Sequence, residues 1–387
     1  MKMSTRTLLL LASLCVILGC GDDTPTGSNG PVNEDTFAIT IGGDANESAF
    51  AMAATQDDAI VIAGERSISV SVPYGLLIKV DFAGNVLWEK VFDAYGRQRF
   101  FDVAVADNGD IVAVGTADQD FYIVRVSPSG AVVWEKVINE GGGDEAAAIA
   151  TTSDGGFVIA GTVIAALTDF DNHLIRINGN GDTTWSRSYN QSQTDASFDV
   201  SATSDGGFVV TSQSGNFSGG ATQFHIFKVN SAGDEVWSRV FGDPWTVFPS
   251  AMSILPDDRI VISGSSGVSG GTSRSVHILE LESSGDARNE FRAGVPADQF
   301  VGGLVLTPDN NIIVAGTVGQ NGDDVFLTKV TLAGTVVWDR FYGGPTKDVA
   351  NDIIMIDDRL FICGTSEAIG ATGSDVYLIR TDTEGQI

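Results

Sequence analysis

Three cysteines, three histidines, ten prolines and twenty-two basic residues are all that the 387 positions hold of those types. Each scarcity excludes something. Two of the cysteines, Cys15 and Cys20, fall in the first twenty residues, so only Cys363 is left for the rest of the chain. An intrachain disulfide framework is therefore excluded. Fifty acidic residues face the few basic ones, giving a formal charge of −28. Such an excess repels phosphate backbones and argues against a nucleic-acid partner. The chain has no GxxxxGK[ST] loop, no nucleophile elbow with triad partners and no EF-hand spacing. What the chain does have is 46 glycines among 43% hydrophobic residues, which reads as many turns between apolar strands.

The longest apolar run, Leu8 to Leu18, follows Lys2 and Arg6 and is too short for a transmembrane helix. It reads as a secretory signal over residues 1–19. The segment Ile17-Leu18-Gly19-Cys20 resembles a bacterial lipobox. That resemblance implies cleavage before Cys20, lipidation of Cys20 with palmitate among its acyl chains, and a cell-envelope address. Gly21 rather than Asp after the cysteine implies the outer membrane. Residues 20–36 have one aliphatic side chain and no aromatic one, so they read as a flexible tether.

The remainder, 37–387, is a repeat. Gly84, Gly130, Gly181, Gly233, Gly285, Gly334 and Gly385 open similar turns at intervals of 46 to 52 residues. Five of these glycines lead into Trp88, Trp134, Trp185, Trp237 and Trp338. A second marker, a polar turn beginning at Asp57, Asn108, Asp154, Asp205, Asp257, Asp309 or Asp357, precedes a short apolar run in every copy. Each unit reads as four short β-branched or aromatic strands, as in DVAVA, DIVAVGT, FYIVRV and VVWEKVI. Four strands at this period predict an all-β, seven-bladed β-propeller with four-stranded blades. The chain ends before a seventh outer strand, while Thr36–Gly43 looks like one. The ring is therefore expected to close by the N-terminal strand completing the last blade. In unit five the aromatic residue Phe291 comes two places late, which predicts a shifted outer strand. The Asp81, Gly84, Trp88 pattern resembles bacterial seven-bladed propeller repeat lipoproteins and, more distantly, quinoprotein propellers. The resemblance implies the fold over 37–387. It implies no quinone, because the vicinal cysteine pair of many quinoproteins is absent.

Most residues that look chemical fall into register with the repeat. His173, His225 and His277 are 52 apart, on the third strand of successive units. Ring geometry puts them on the order of 13 Å apart, too far to share a metal ion, so they read as packing residues. Lys79, Arg125, Arg176, Lys228, Lys329 and Arg380 share one register, and structural pairing or packing of their apolar stems is expected of them. The turn acids suit tight hairpins, although weak calcium binding is compatible with the acid excess. Cys363 replaces an alanine of other copies and reads as a small buried residue.

What breaks the repeat is Trp245, with Phe248, in FGDPWTVFPS, and Tyr95, Arg97 and Arg99 in DAYGRQRFF. Both segments connect one unit to the next, on the face that also carries the longer second-to-third-strand loops. These five residues are the candidate partner-binding set. No catalytic or metal-binding set stands out. The expected function is a non-enzymatic, monomeric binding or scaffold lipoprotein for an envelope protein or glycan, touching the membrane through its lipid alone. Alternatives are a glycan-active hydrolase or lyase using propeller-top carboxylates, and a calcium-stabilised extracellular structural protein. Cells fed labelled palmitate should label the wild-type protein and not Cys20→Ser. Label retained by the variant would reject the lipobox.

Overall fold

The computed structural model describes residues 36–387 apart from 68–71, 167–168, 216–220, 243–244, 269–272, 296, 320–322 and 368–372. Residues 1–35, with the signal segment, Cys20 and nearly all of the tether, lie outside the described residues.

The described residues form twenty-eight strands in four-stranded antiparallel sheets, joined in sequence order. We number the sheets along the chain: 46–92, 98–138, 144–189, 194–241, 245–293, 298–342 and 348–382. The last segment supplies only three strands. Its fourth is Phe37–Ile41, which pairs antiparallel with Asp375–Asp382, from Phe37 opposite Arg380 to Ile41 opposite Val376. A single parallel bridge, Phe170 to Thr194, links sheets three and four.

The strand sequences explain this arrangement. The second and third strands of each sheet are buried on nearly every position, on both faces, so a sheet alone would leave both faces wet. Each hydrophobic cluster is accordingly shared between neighbouring sheets. Phe100, Tyr122 and Val124 of sheet two meet Val61, Ala63 and Leu77 of sheet one. Another cluster joins Phe361, Cys363 and Leu378 of sheet seven to Ile60, Ile62 and Leu76 of sheet one. The first strands touch in series, and that of sheet seven touches that of sheet one. Cys363 is fully enclosed in its cluster, and burial holds its thiol in the protonated, unreactive form.

The repeated tryptophans dock one sheet on the next. Trp88 Nε1 donates to the carbonyl of Pro128 at 3.0 Å, Trp185 to Ser231 at 3.1 Å and Trp237 to Ser283 at 3.1 Å. Each ring also lies over the turn glycine of the following sheet, as Trp88 does over Gly130. At that glycine φ is +81°, and a Cβ would approach the ring to 3.1 Å. Sheet five corrects an expectation: its outer strand, Ala287–Ala293, does not shift. Asn289 takes the tryptophan's place opposite Glu280 and donates to Leu332 O at 2.6 Å, while Phe291 covers Gly334. Two smaller residues divide the work of one indole, whose ring and N–H point to different partners. At sheet seven, Phe37 and Ile39 of the N-terminal strand cover Gly84.

The basic register is structural. Lys79, 2% exposed, bonds both Asp57 oxygens and the carbonyl of Pro128. Arg125 bonds Asp110 and Gly179 O, and Lys228 bonds Asp205. In sheet five the signs exchange: Glu280 stands in the basic register and pairs with Arg259. Deleting residues 36–43 would expose the outer edge of sheet seven and unpack Phe37, Ile39 and Ile41. The loss should be about 2–5 kcal/mol for three partly buried apolar side chains. A truncated protein that melts at the wild-type temperature would refute this role.

Candidate functional site on the loop face

Every first strand carries a β-bulge, for instance between Phe100 and Asp102 or between Val301 and Gly303. The bulge pushes the first strand against the second so closely that a Cβ on Gly115 would lie 1.9 Å from the carbonyl oxygen of Arg99. The residue at that carbonyl stands at the loop-side end of the strand. There Arg99, Glu145, Phe248 and Phe300 occupy the register in which other sheets have Ser48, Ala196 and Val349. One element of the repeat thus varies freely while its surroundings are constant.

Just before this position, buried polar side chains hold the incoming connections in place. Asp195 accepts from Gln191 N and Ser192 N at 2.6 and 2.9 Å, Asp144 from Glu140 N at 2.7 Å, and Gln98 from Tyr95 N at 3.2 Å. The loops that carry candidate residues are therefore anchored at their ends.

The five sequence candidates fall into two groups. Arg97 and Arg99 line a cavity of about 550 Å³ over sheets two and three, together with Asp118, Glu145, Ile164 and Phe170. Tyr95 is close by in the chain but sets its ring against Tyr122 at 5.7 Å and does not line the cavity. Phe248 lies on sheet five, with Arg274 stacked on it at 4.8 Å and on Phe300 at 4.5 Å. The two rings are 36% and 46% exposed, and Asp298 steadies the guanidinium at 3.4 Å. Trp245 begins the first strand of sheet five opposite Val268; its side chain lies outside the described residues. Glu145, Arg274 and Phe300 were missed in the sequence. Aligning the residue fifteen or sixteen positions before each second-strand glycine would have found two of them, because the bulge fixes that register.

The second-to-third-strand connection of sheet two is not a long loop. Asp118 and Gln119 alone make it, with φ of 48° and 80°. Asp118 accepts Arg97 N at 2.9 Å and donates its own N–H to Arg97 O at 2.9 Å, while Gln119 O accepts Asp144 N at 2.6 Å. This short turn ties both walls of the cavity. Arg99 is paired with Glu65. Glu145 is reached by solvent yet sits in a concavity walled by protein, which raises its carboxyl above the ordinary value; Arg99 pulls the other way.

A second cavity, of about 530 Å³, is walled by the first strands, with Ala53, Val105, Thr151, Asp199, Ser201 and Ser253 among its residues. Asp199 belongs to a set of three. Asp102, Asp199 and Asp352 follow the bulge in sheets two, four and seven, where other sheets have alanine or glycine. Each carboxylate bridges two backbone donors. Asp102 accepts Val103 N and Ile149 N, both at 2.7 Å. Asp199 accepts Val200 N at 2.6 Å and Met252 N at 2.7 Å, and Asp352 accepts Ile353 N at 2.7 Å and Met52 N at 2.9 Å. Enclosure by protein raises all three, Asp352 to about 6, Asp199 to about 7 and Asp102 well above the ordinary 3.8; repulsion from the other carboxylates adds to the shift at Asp102 and Asp199.

The histidines are held by hydrogen bonds, mostly within their own sheets, and His225 Nδ1 also meets Asn172 of sheet three at 3.3 Å. His173 meets Ser186 at 2.7 Å and Ser188 at 2.9 Å, His225 meets Ser238 at 2.9 Å, and His277 meets Glu290 at 2.9 Å. Burial lowers all three, His225 to about 4, so they favour the neutral form. Among the described residues, no group of three histidines, cysteines or acids is placed to hold a metal ion.

No protein-family model matches the chain, and no curated protein matches it in sequence. Solved structures do resemble it in shape. The WD40 domain of Neurospora crassa Pan2 matches at 12% identity over 89% of this chain and 90% of that one, with a TM-score of 0.55. The WD40 β-propeller domain of Doa1 matches at 12% identity over 89% and 95%, with a TM-score of 0.54. Puromycin hydrolase matches at 14% identity over 89% of this chain and 53% of its own, with a TM-score of 0.59. The chain has a β-propeller fold. The functions named for these neighbours differ, so the likeness carries the fold alone.

The Asp199 carboxyl gives a pH test. Its folded value lies above the ordinary 3.8, so the folded state keeps a proton that the unfolded chain releases. The stability this contributes is complete below about pH 4 and is lost as pH rises through about 7. Asp199→Asn should flatten the urea midpoint across that window. At neutral pH it should cost about 1–3 kcal/mol, because one backbone donor then faces an amide N–H. An unchanged pH slope would show that Asp199 does not titrate there.

Proposed function

We propose that the chain is a closed seven-bladed propeller that works as a non-enzymatic binding module at the cell envelope. It is held by a lipidated Cys20 in the outer membrane and engages an envelope protein or glycan through its loop face. Ring closure is supported by the serial contacts of the first strands, sheet seven to sheet one included, and by the N-terminal strand on sheet seven. The observation that carries the binding reading is the variable register at the loop-side strand ends. Arg99, Glu145, Phe248 and Phe300 gather there, with Arg97 and Arg274 beside them, in an otherwise conservative repeat. Aromatic rings and guanidinium groups held on anchored loops are the common energetic centres of interfaces.

The cavity favours binding over hydrolysis. A glycosidase needs two working carboxyl groups. Here Asp118 is bonded to Arg97 N, and Asp144 is buried against Glu140 N, which leaves Glu145 alone. Asp102, Asp199 and Asp352 are engaged by backbone N–H groups. Turn acids in six of the seven sheets are likewise taken up by lysine, arginine and hydroxyl partners, as Asp57 is by Lys79 and Thr55, which speaks against a structural calcium there.

In a pull-down from envelope extract, the soluble domain should capture a partner. Phe248→Ala/Phe300→Ala should reduce capture by about tenfold or more. Leu87→Ala, an exposed outer-strand change, should leave it intact. Equal capture by the double variant would move the site off this face. Melting temperatures with and without chelator should agree; a large drop on chelation would favour the calcium reading.

A further inference from the structure

We propose that the cavity over sheets two and three recognises a neutral saccharide, by its vicinal hydroxyl groups. This rests on the loop-face binding reading and names the ligand chemistry. Two groups in the cavity are uncommitted. The Arg97 side chain is exposed and has no ion-pair or hydrogen-bond partner among the described residues. The Glu145 carboxylate likewise has no hydrogen-bond or ion-pair partner among them, with only a longer-range pull from Arg99. In a chain with fifty acids for twenty-two basic residues, an unpaired guanidinium is uncommon. Among the described residues, almost every other arginine meets a carboxylate or a carbonyl.

A guanidinium only donates hydrogen bonds, and a carboxylate only accepts them. A ligand that satisfies both must accept at one point and donate at another. A hydroxyl does both, and neighbouring hydroxyls can bridge the two groups. An anionic ligand would pair with Arg97 but meet Glu145, Asp118 and the overall negative field. A cationic ligand would pair with Glu145 but meet Arg97 and Arg99. A purely apolar ligand would strip water from both charges and return nothing. Ile164, Phe170 and Pro73 give the same cavity apolar walls, which suit the C–H faces of a sugar ring. The volume, about 550 Å³, is of the size that ligand sites have.

The site is also held in position before any ligand arrives. Arg97 is fixed on both its N–H and its C=O by Asp118. Gly96 allows this, because a Cβ there would lie 2.2 Å from the Asp118 carboxylate, at a φ of +76°. Asp118 and Gln119 both hold positive φ to keep the turn two residues long. Such a scaffold lowers the ordering cost of binding.

The test is calorimetry with the soluble domain against neutral hexasaccharides of glucose, mannose and N-acetylglucosamine, an oligogalacturonate and a chitosan hexamer. At least one neutral hexasaccharide should bind with a dissociation constant of about 1 mM or below. Arg97→Ala and Glu145→Gln should each weaken it about tenfold with unchanged circular dichroism. The affinity should change little with salt, since no net charge is neutralised. The proposal fails if none of the neutral probes binds, if only the acidic or only the cationic probe binds, or if both variants bind like wild type. If no saccharide binds while the pull-down still depends on Phe248 and Phe300, the saccharide assignment falls and the binding face stands. If neither depends on this face, both fall.

Discussion

A four-stranded sheet that is apolar on both faces has no stable existence alone in water. The rest of this molecule follows from that constraint. Every sheet must be covered twice, so every hydrophobic cluster is shared between two sheets, sheets seven and one among them. The indole docking serves the same need: the ring covers the next sheet's turn glycine, and in four of the five repeated tryptophans its N–H also bonds a carbonyl there. Where the indole is missing, at Asn289 and Phe291, the two halves of its job are done by two residues in the same register. The register survives because it is set by the stacking of sheets, not by one side chain.

The inner wall shows how the same constraint is met with polar groups. Each bulge takes backbone donors out of the ladder where first strands crowd together. Three aspartates answer this, each accepting one N–H from its own strand and one from the next sheet. Three carboxylates with two oxygens each serve six first strands. Sheet six is left outside the scheme, and there Gly303 occupies the position, lying 3.0 Å, at its would-be Cβ, from Ile353 N. The carboxylates therefore act as struts between sheets, at the expense of raised protonation, and are unavailable for chemistry.

A good part of this was legible in the sequence. The period, the four strands per unit and the N-terminal strand as partner of the last sheet all follow from turn glycines and tryptophans, because those residues are demanded locally. Arg97, Arg99 and Phe248 stood out for the opposite reason: they interrupt a pattern. Glu145 and Phe300 did not stand out, since a polar or aromatic residue in a β-strand is ordinary. Asp102, Asp199 and Asp352 were hidden in strands that read as alternating.

The sequence by itself determined the repeat, the fold class and the connections that carry variation, since each depends on spacing and on residues with special backbone needs. Only the tertiary structure decided that Arg97, Arg99 and Glu145 share one cavity, that Phe248 and Phe300 clasp Arg274, and that Tyr95 turns away to Tyr122. Those residues are some twenty-five to fifty positions apart, and several belong to different sheets. Their meeting depends on how sheets pack side by side, which no local pattern encodes.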